Sequence, residues 1–359
     1  MSEFKEFLIL NSDDRTQIDK STYIKKPEIV DIMMRISFNS DYITPPNLKY
    51  FKEPKVPLNL NEGFETYIFR NQNFYKKPMK QIEKYVLDNG ITVLNTAHQG
   101  NTQICCRRSV LDAIMKTPYL YGKSFEWTIY ATKFDNVIYL TNHDTYKQFR
   151  RVTDSHHFKF RQFCLSDAPK KAIVSDTPID ENIQTYCIYR TTLKSFDLIY
   201  SAEVVGIISD TEVKDLKNMT ELNACRFIWM RLTTPYGPTK EKYLHWWLQC
   251  YLANVSTMYV GCKTRHGIIN EKPNWVNPYK IAKSNSWNIN VGTTFLEKFL
   301  RNIKEKMSSV DCPYTVYEFR LEGANNLIKY KVHNGKSNFS FLTERYINEF
   351  LCQKLEKTL

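Results

Sequence analysis

Long apolar runs and metal-binding cysteine pairs are both missing from this sequence. No apolar stretch reaches the roughly 18 residues that a membrane-spanning helix needs, so no such helix is expected. The nine cysteines are an odd number without C-x-x-C spacing, and the adjacent Cys105 and Cys106 are too few for a zinc site. Reduced, mostly buried thiols fit this usage best, which predicts an intracellular protein.

Targeting signals, low-complexity segments and internal repeats are also missing. The first residues, MSEFKEFLILNSDD, include acidic side chains and a four-residue apolar run, so no signal peptide is expected. Glycine is scarce, with 11 residues, whereas 42% of the chain is apolar and 14% is aromatic. A chain of 359 residues with this composition can bury a sizeable core, which excludes a disordered or fibrous protein.

The charge balance points to a polyanionic partner. The formal net charge is +12, and the lysines and arginines are spread along the chain rather than concentrated in a tail. A basic globular protein has an electrostatic reason to bind nucleic acid. An unspecialised basic surface is the alternative.

Apolar periodicity predicts one α/β domain with mixed sheets over residues 1–359. Helix patterns, such as KEKYLHWWLQCYLANV, alternate with strand patterns, and no linker divides the chain. Residues 1–65 are expected to be irregular around several prolines, with about 1–45 as an N-terminal segment. A helix from about 107 is expected to end before Pro118. One strand, RFIWMRLTT at 226–234, raises a question, because its Arg231 lies inside an apolar run.

Several segments, in this order, resemble the DXO-type decapping exoribonucleases. They are LKYFKEPKVPLNLNEGFETYI at 48–68, RRSVLDAIMKTPY at 107–119, a helix with FKFRQF, a strand with AEVV, a strand with WMRLTT and a helix with HWWLQ. The resemblance spans roughly residues 48–280. It implies a pair of mixed sheets flanked by helices around a deep cleft. It also implies hydrolysis at RNA 5′ ends, with removal of incomplete or unusual caps such as NAD caps, and 5′–3′ degradation.

Family members use carboxylates in the cleft to hold Mg²⁺. Two such metals, about 3.5–4 Å apart, can clamp the attacking and leaving oxygens of a phosphoryl displacement. The resemblance assigns three retained positions to this chain: Arg108 near the start of the TPY helix, Glu203 in the AEVV strand and Gln249 after two tryptophans.

Four other positions depart from the family pattern. Arg161 stands where the family has a helix glutamate, and Val205 stands where it has the aspartate of an E-x-D strand. Trp229 and Arg231 stand where it has the glutamate and lysine of an E-x-K strand. With Glu203 as the one residual ligand, no metal site, no cofactor and no catalytic residue is expected, which predicts a pseudoenzyme.

Two interpretations of the cleft remain open. In the first, Arg108, Arg161, Arg231 and Gln249 bind RNA phosphates without sequence preference. In the second, Glu203 pairs with one of the new arginines and closes the site with a salt bridge.

The function has two alternatives beside RNA binding. One is an active, divergent metal-dependent decapping nuclease that recruits another carboxylate, such as Asp197. The other is a protein-interaction scaffold without RNA contact. Trp229 either stacks on a base or packs in the core, whereas Trp246 and Trp247 are expected in the core. The adjacent His156 and His157 cannot face the same way on a helix and are expected to be structural or exposed.

The pattern of loss is similar to that of the Cutoff branch of the family. That branch works in the fly germline nucleus with Rhino and Deadlock, supports transcription of piRNA clusters and opposes termination and RNA processing. The similarity implies a nuclear protein in a chromatin-linked complex, with a cytoplasmic share as the alternative, and a role in RNA-mediated gene silencing.

Overall fold

Two large mixed β-sheets and a small two-stranded sheet form the framework. The structure is a computed structural model that describes residues 3–11, 13–16, 18–35, 42–43, 47–70, 77–94, 100–120, 122, 125–142 and 151–357. The strands are β1 (Lys5–Ile9), β2 (Glu28–Arg35), β3 (Tyr42–Ile43), β4 (Tyr50–Phe51), β5 (Leu58–Asn59), β6 (Thr102–Arg107), β7 (Trp127–Phe134), β8 (Val137–Asn142), β9 (Leu165–Ser166), β10 (Gln184–Leu193), β11 (Phe196–Val204), β12 (Gly206–Ile208), β13 (Arg226–Thr233), β14 (Thr257–Cys262), β15 (Ile268–Ile269), β16 (Asn274–Val276), β17 (Cys312–Glu322) and β18 (Leu327–His333).

Helices cover both faces of the larger sheet. They are α1 (Asp13–Thr16), α2 (Lys80–Asn89), α3 (Arg108–Leu120), α4 (Val152–Cys164), α5 (Met219–Ala224), α6 (Lys240–Leu252), α7 (Pro278–Ser284), α8 (Ile289–Lys306) and α9 (Glu344–Glu356).

Strand order confirms the predicted mixed α/β class. The larger sheet runs β1-β18-β17-β7-β8-β6-β11-β10-β2-β3, and the second runs β16-β14-β13-β12-β4-β9. In the larger sheet, β6 pairs in parallel with β11 and β8, while its other pairs are antiparallel. In the second sheet, β13 runs parallel to β14 and antiparallel to β12.

The core explains why so many strands are apolar on both faces. In β6, Ile104 and Cys106 pack with helices α3 and α8, whereas Cys105 packs on the other face with α2 and α9. A strand buried on both faces has no polar side, so it appears as a continuous apolar run. The β7–β8 hairpin turns at Asp135 and Asn136, which have φ values of 52° and 61°. These residue types tolerate the left-handed conformation that such a turn requires.

Two expectations from the sequence are wrong. The N-terminal segment is not simply irregular, because β2 pairs with β10 from Arg35 to Glu28 and β1 pairs with β18. The helix beginning at Arg108 continues to Leu120 with Pro118 inside it. A proline in a last turn sacrifices a single hydrogen bond, so the following residues still complete the helix.

Two further findings concern thiols and hydropathy. All nine cysteines are free thiols. Within the described ranges, no helix combines the length and apolar character needed to cross a membrane.

Candidate functional site

A cleft of about 500 Å³ opens between β13, α4 and α6. Five cationic side chains and one carboxylate line it in the described part of the chain, together with two histidines. The charged lining residues are Arg108, Arg161, Arg231, Lys242, Lys263 and Glu203. The cleft is therefore strongly positive.

Alternation along β13 places Arg231 in this cleft. Ile228 and Met230 pack on one face of the strand with the core under α4, while Trp229 packs on the opposite face. Arg231 is two residues after Trp229 and so shares its face. Its Nη2 donates to Oε1 of Gln249 on α6 at 2.9 Å, and burial lowers its pKa to about 10. Both faces of this strand are covered, and the arginine uses the side that opens into the cleft.

Trp229 lies between two arginines of the cleft floor. The guanidinium carbons of Arg108 and Arg231 are 4.3 and 4.4 Å from the centroid of its ring. Trp229 itself is 2% exposed, so its ring is closed to a nucleobase and the core interpretation is confirmed. Nη1 of Arg108, Nε of Arg231 and Nε1 of Trp229 are buried without a hydrogen-bond partner in the described residues. These are unpaired donors buried beneath the floor of the cleft.

Glu203 is already paired within the protein. Nη1 of Arg161 on α4 donates to Oε1 of Glu203 on β11 at 2.6 Å. Burial alone would raise the pKa of Glu203, but the charge and hydrogen bond of Arg161, with Arg70 and Arg108, lower it to about 2. The ion pair of the second interpretation is therefore present with Arg161, although the cleft beside it stays open. It does not hold for Arg231, which bonds to Gln249 instead.

The rim of the cleft carries two lysines that the sequence analysis missed. Nζ of Lys242 donates to the carbonyl of Leu232 at 3.2 Å, and Nζ of Lys263 lies 2.7 Å from Nδ1 of His156. Burial lowers the pKa of both lysines, and each is also affected by a neighbouring cation, Arg231 for Lys242 and Lys242 for Lys263. A continuous series of positive charges therefore runs from the floor to the rim.

The helical periodicity of α6 could have identified some of the cleft-lining residues that the sequence analysis missed. Lys242, His245 and Trp246 precede Gln249 by seven, four and three residues on α6, so they share its face. Nδ1 of His245 lies 2.8 Å from Oδ2 of the buried Asp112, which fixes the orientation of the imidazole. Lys263 follows β14 instead, so no helical periodicity points to it.

Some of the remaining residues singled out from the sequence line the cleft, and others are buried elsewhere. Val205 lines the cleft, and His157 does so too, whereas His156 is buried against Asn61. Trp246 and Trp247 are each 3% exposed and belong to the core, as expected. Asp197 is buried and lies outside the cleft lining, and its Oδ1 accepts from Thr192 at 2.9 Å.

The residues present do not fit a magnesium site. Mg²⁺ prefers several oxygen ligands, and Glu203 is the one carboxylate lining the described cleft. Its Oε1 already accepts from Arg161. No group of three or more His, Cys, Asp or Glu residues that could hold a metal ion occurs within the described ranges.

A family model gives the first comparison with known proteins. The model described as "RAI1 like PD-(D/E)XK nuclease" matches residues 30–347. "Decapping and exoribonuclease protein Rai1" of Drosophila melanogaster is 23% identical over 288 residues, which are 74% of this chain and 75% of that protein. "Protein cutoff" of the same organism is 22% identical over 275 residues, 70% of this chain and 67% of that protein.

Solved structures give the second comparison. Candida albicans Rai1 in complex with pU5-Mn²⁺ has a TM-score of 0.76 and 14% identity, and the match covers 98% of this chain and 100% of that one. Scheffersomyces stipitis Rai1 in complex with (3′-NADP)⁺ and calcium ion has a TM-score of 0.74 and 12% identity, covering 98% of each chain. These similarities establish the same fold.

Proposed function

The chain belongs to the family of RAI1-like PD-(D/E)XK nucleases, and we propose that it is a catalytically silent member whose cationic cleft binds RNA 5′ ends. The proposal has two parts, which different residues support. One part is the lack of metal-dependent chemistry, and the other is the retention of a phosphate-binding surface.

The ion pair between Arg161 and Glu203 is the observation that carries the first part. The family resemblance places a metal-binding glutamate where Arg161 stands, and Arg161 lies 2.6 Å from the one remaining carboxylate. At about 4 Å and an effective dielectric constant near 20, a unit positive charge repels a divalent cation by roughly 8 kcal/mol. Arg161 therefore both omits a ligand and opposes the metal.

The floor of the cleft supports the second part. Arg108 and Arg231 each have a buried N–H without a partner in the described residues. A phosphate accepts several hydrogen bonds at once, and a planar guanidinium matches its geometry. Gln249 contributes indirectly, because its Oε1 accepts from Arg231 and holds that guanidinium in place. The uridine oligonucleotide in the C. albicans Rai1 complex suggests single-stranded RNA as the ligand class.

We extend the proposal to location and partners through the similarity to Protein cutoff. The chain is expected in the nucleus, in a chromatin-linked complex that protects RNA from processing or termination, as in the piRNA pathway. Imaging of the tagged protein at its endogenous level and a pull-down from nuclei with sequencing of bound RNA test this extension. A purely cytoplasmic signal would contradict it.

Glu203→Gln separates an RNA binder from a metal-dependent nuclease. It should strengthen RNA binding in the first and abolish turnover in the second. In a binder, the substitution removes the one carboxylate that lines the cleft in the described residues and frees Arg161 for phosphate. Binding of 5′-phosphorylated RNA without metal should become about tenfold tighter, the size of one charge-assisted hydrogen bond. In a nuclease, the same substitution removes a metal ligand and abolishes turnover.

Filter binding at several salt concentrations is the measurement. The double variant Arg161→Ala with Glu203→Ala is the matched control, because it removes the ion pair without changing net charge. Its affinity should change less than that of Glu203→Gln or of Arg161→Ala with Arg231→Ala. That last variant should flatten the log–log salt dependence by about 0.7 for each RNA phosphate that it no longer neutralises. Equal binding by all variants would show that the cleft is not the RNA site.

A further inference from the structure

The loop between β13 and α6 presents an unusually exposed aromatic side chain. Tyr236 is 98% exposed, more than any other large apolar residue in the described part of the chain. Burying aromatic rings contributes strongly to stability, so a ring left wholly in solvent adds little to this fold. Its position relative to the cleft gives it another use.

The loop restricts the backbone at Tyr236. Gly237 N–H donates to the carbonyl of Thr234 at 2.9 Å, which closes a β-turn with Pro235 at its second position. Gly237 has a φ of 74°, and Pro238 follows it. Two prolines and a closed turn restrict the backbone on both sides of the tyrosine. The backbone that carries the exposed ring is thus restricted before any ligand binds.

The same loop forms part of the cleft rim. Thr233 and Thr234 line the cleft at the end of β13, and Lys242 lines it at the start of α6. Tyr236 is two residues after Thr234, so their Cα atoms are at most about 7.6 Å apart. The backbone N–H of Lys263 donates to the carbonyl of Thr233 at 2.9 Å, which brings a second lysine to this rim.

We propose that Tyr236 is a stacking platform for a base of single-stranded RNA that leaves the cleft, with Lys242 and Lys263 binding the adjacent phosphates. The inference rests on the proposed RNA-binding function and adds a second contact point to it. Aromatic rings beside a positive groove are the pattern of proteins that bind single strands without sequence preference. A lone ring among lysines differs from the contiguous apolar patch of a protein-docking surface.

The proposal predicts a dependence on RNA length. A mononucleotide fills the cleft without reaching the rim, whereas a 5′-phosphorylated uridine pentamer reaches Tyr236. Tyr236→Ala should weaken pentamer binding about 5- to 100-fold and leave binding of uridine 5′-monophosphate unchanged. Tyr236→Phe and Tyr236→Trp should bind the pentamer like the parent protein, because both keep an aromatic face.

Two further measurements separate stacking from charge. A pentamer with 2-aminopurine at an internal position should lose fluorescence on binding to the parent protein and not on binding to Tyr236→Ala. The salt dependence should be unchanged by Tyr236→Ala and reduced by about 0.7 in the log–log slope by Lys242→Ala. Tyr23→Ala is the matched control, since Tyr23 is also exposed, but its neighbours Thr22 and Ile24 accept hydrogen bonds from Thr293 and Tyr251, outside the cleft lining.

The outcomes distinguish this inference from the function on which it rests. No pentamer binding by the parent protein would overturn both. Pentamer binding that responds to Arg231→Ala but not to Tyr236→Ala would overturn the stacking role alone. Equal weakening of pentamer and mononucleotide binding by Tyr236→Ala would also overturn it.

Discussion

Arg161 and Arg231 lie in one cleft, yet their surroundings are opposite. Arg161 bonds to Glu203 at 2.6 Å, so its charge is largely compensated. Arg231 bonds to the neutral Gln249 and lies against Trp229, with no carboxylate within ion-pair distance in the described residues. Its charge remains available to a ligand.

The two surroundings differ in what they leave for a ligand. Arg161 and Glu203 neutralise each other within the protein. Arg108 and Arg231 lie against the apolar ring of Trp229 and form no ion pair among the described residues, which favours an anionic ligand. The predictions below test these two surroundings, one residue at a time.

The largest effect is expected from Trp229→Ala. The ring is 2% exposed and supports two guanidinium groups, so its removal leaves a cavity and two unsupported charges. The free energy of unfolding should fall by about 3–5 kcal/mol, measured by urea denaturation. Trp229→Phe should lose less, because it keeps an aromatic face. Equal stability of the alanine variant and the parent would contradict the structural role of this ring.

The next effect concerns the pH dependence of stability. The pKa of Glu203 is about 2 in the folded protein, below its usual 4.5. The ion pair therefore stabilises the fold fully above about pH 4.5, and this stabilisation is lost as the pH falls towards 2. The contribution should be at most about 3 kcal/mol, and Glu203→Gln should lack it. Denaturation curves of both proteins between pH 5 and 2.5 are the measurement, and parallel curves would refute the assignment.

A smaller effect is expected from Arg231→Ala on RNA affinity. Because the substitution removes one uncompensated guanidinium, binding of 5′-phosphorylated RNA should weaken about tenfold at low salt. Arg226→Ala is the matched control, because Arg226 is on the same strand but bonds to Thr257 outside the cleft. Fluorescence anisotropy with labelled RNA measures both. An equally large decrease in the control would mean that general charge, rather than the cleft, governs binding.

The smallest expected effect is that of added metal. With Mg²⁺ or Mn²⁺, 5′-labelled capped and uncapped RNA should remain intact if, as the family resemblance implies, Arg161, Val205 and Trp229 occupy three carboxylate positions. Restoring the family residues through Arg161→Glu, Val205→Asp and Trp229→Glu with Arg231→Lys should give partial turnover at best, since the residues that orient those ligands stay unchanged. Metal-dependent turnover by the parent protein, abolished by Glu203→Ala, would contradict the proposal that the protein lacks catalytic activity.

Local patterns predicted much of the fold because they reflect local physics. The β7–β8 hairpin follows from Asp135-Asn136, and α6 follows from its helical periodicity. The N-terminal strands β1 and β2 were missed because their partners, β18 and β10, are distant in sequence. Strand pairing over such separations leaves no mark in a short window.

The candidate site was predicted in composition but not in its connections. The cleft is lined by Arg108, Arg161, Glu203, Trp229, Arg231 and Gln249. Their predicted roles there stay predictions. Resemblance gave no means of choosing which arginine pairs with Glu203. Lys263 was missed altogether, because a lysine at the end of a strand is an ordinary surface residue until the fold brings it to the rim.

The sequence by itself determined the mixed α/β class and, through its resemblance to known proteins, the family, whereas the replacement of metal-binding carboxylates stays a prediction. The fold class follows from periodicities of two and 3.6 residues. Only the tertiary structure decided that Arg161 neutralises Glu203, that Arg231 lies beside a buried Trp229 without an ion pair in the described residues, and that the ring of Tyr236 is in solvent. The physical reason is that charge compensation falls off within a few ångströms. Whether an arginine stabilises the protein or binds a ligand therefore depends on neighbours that come from distant parts of the chain.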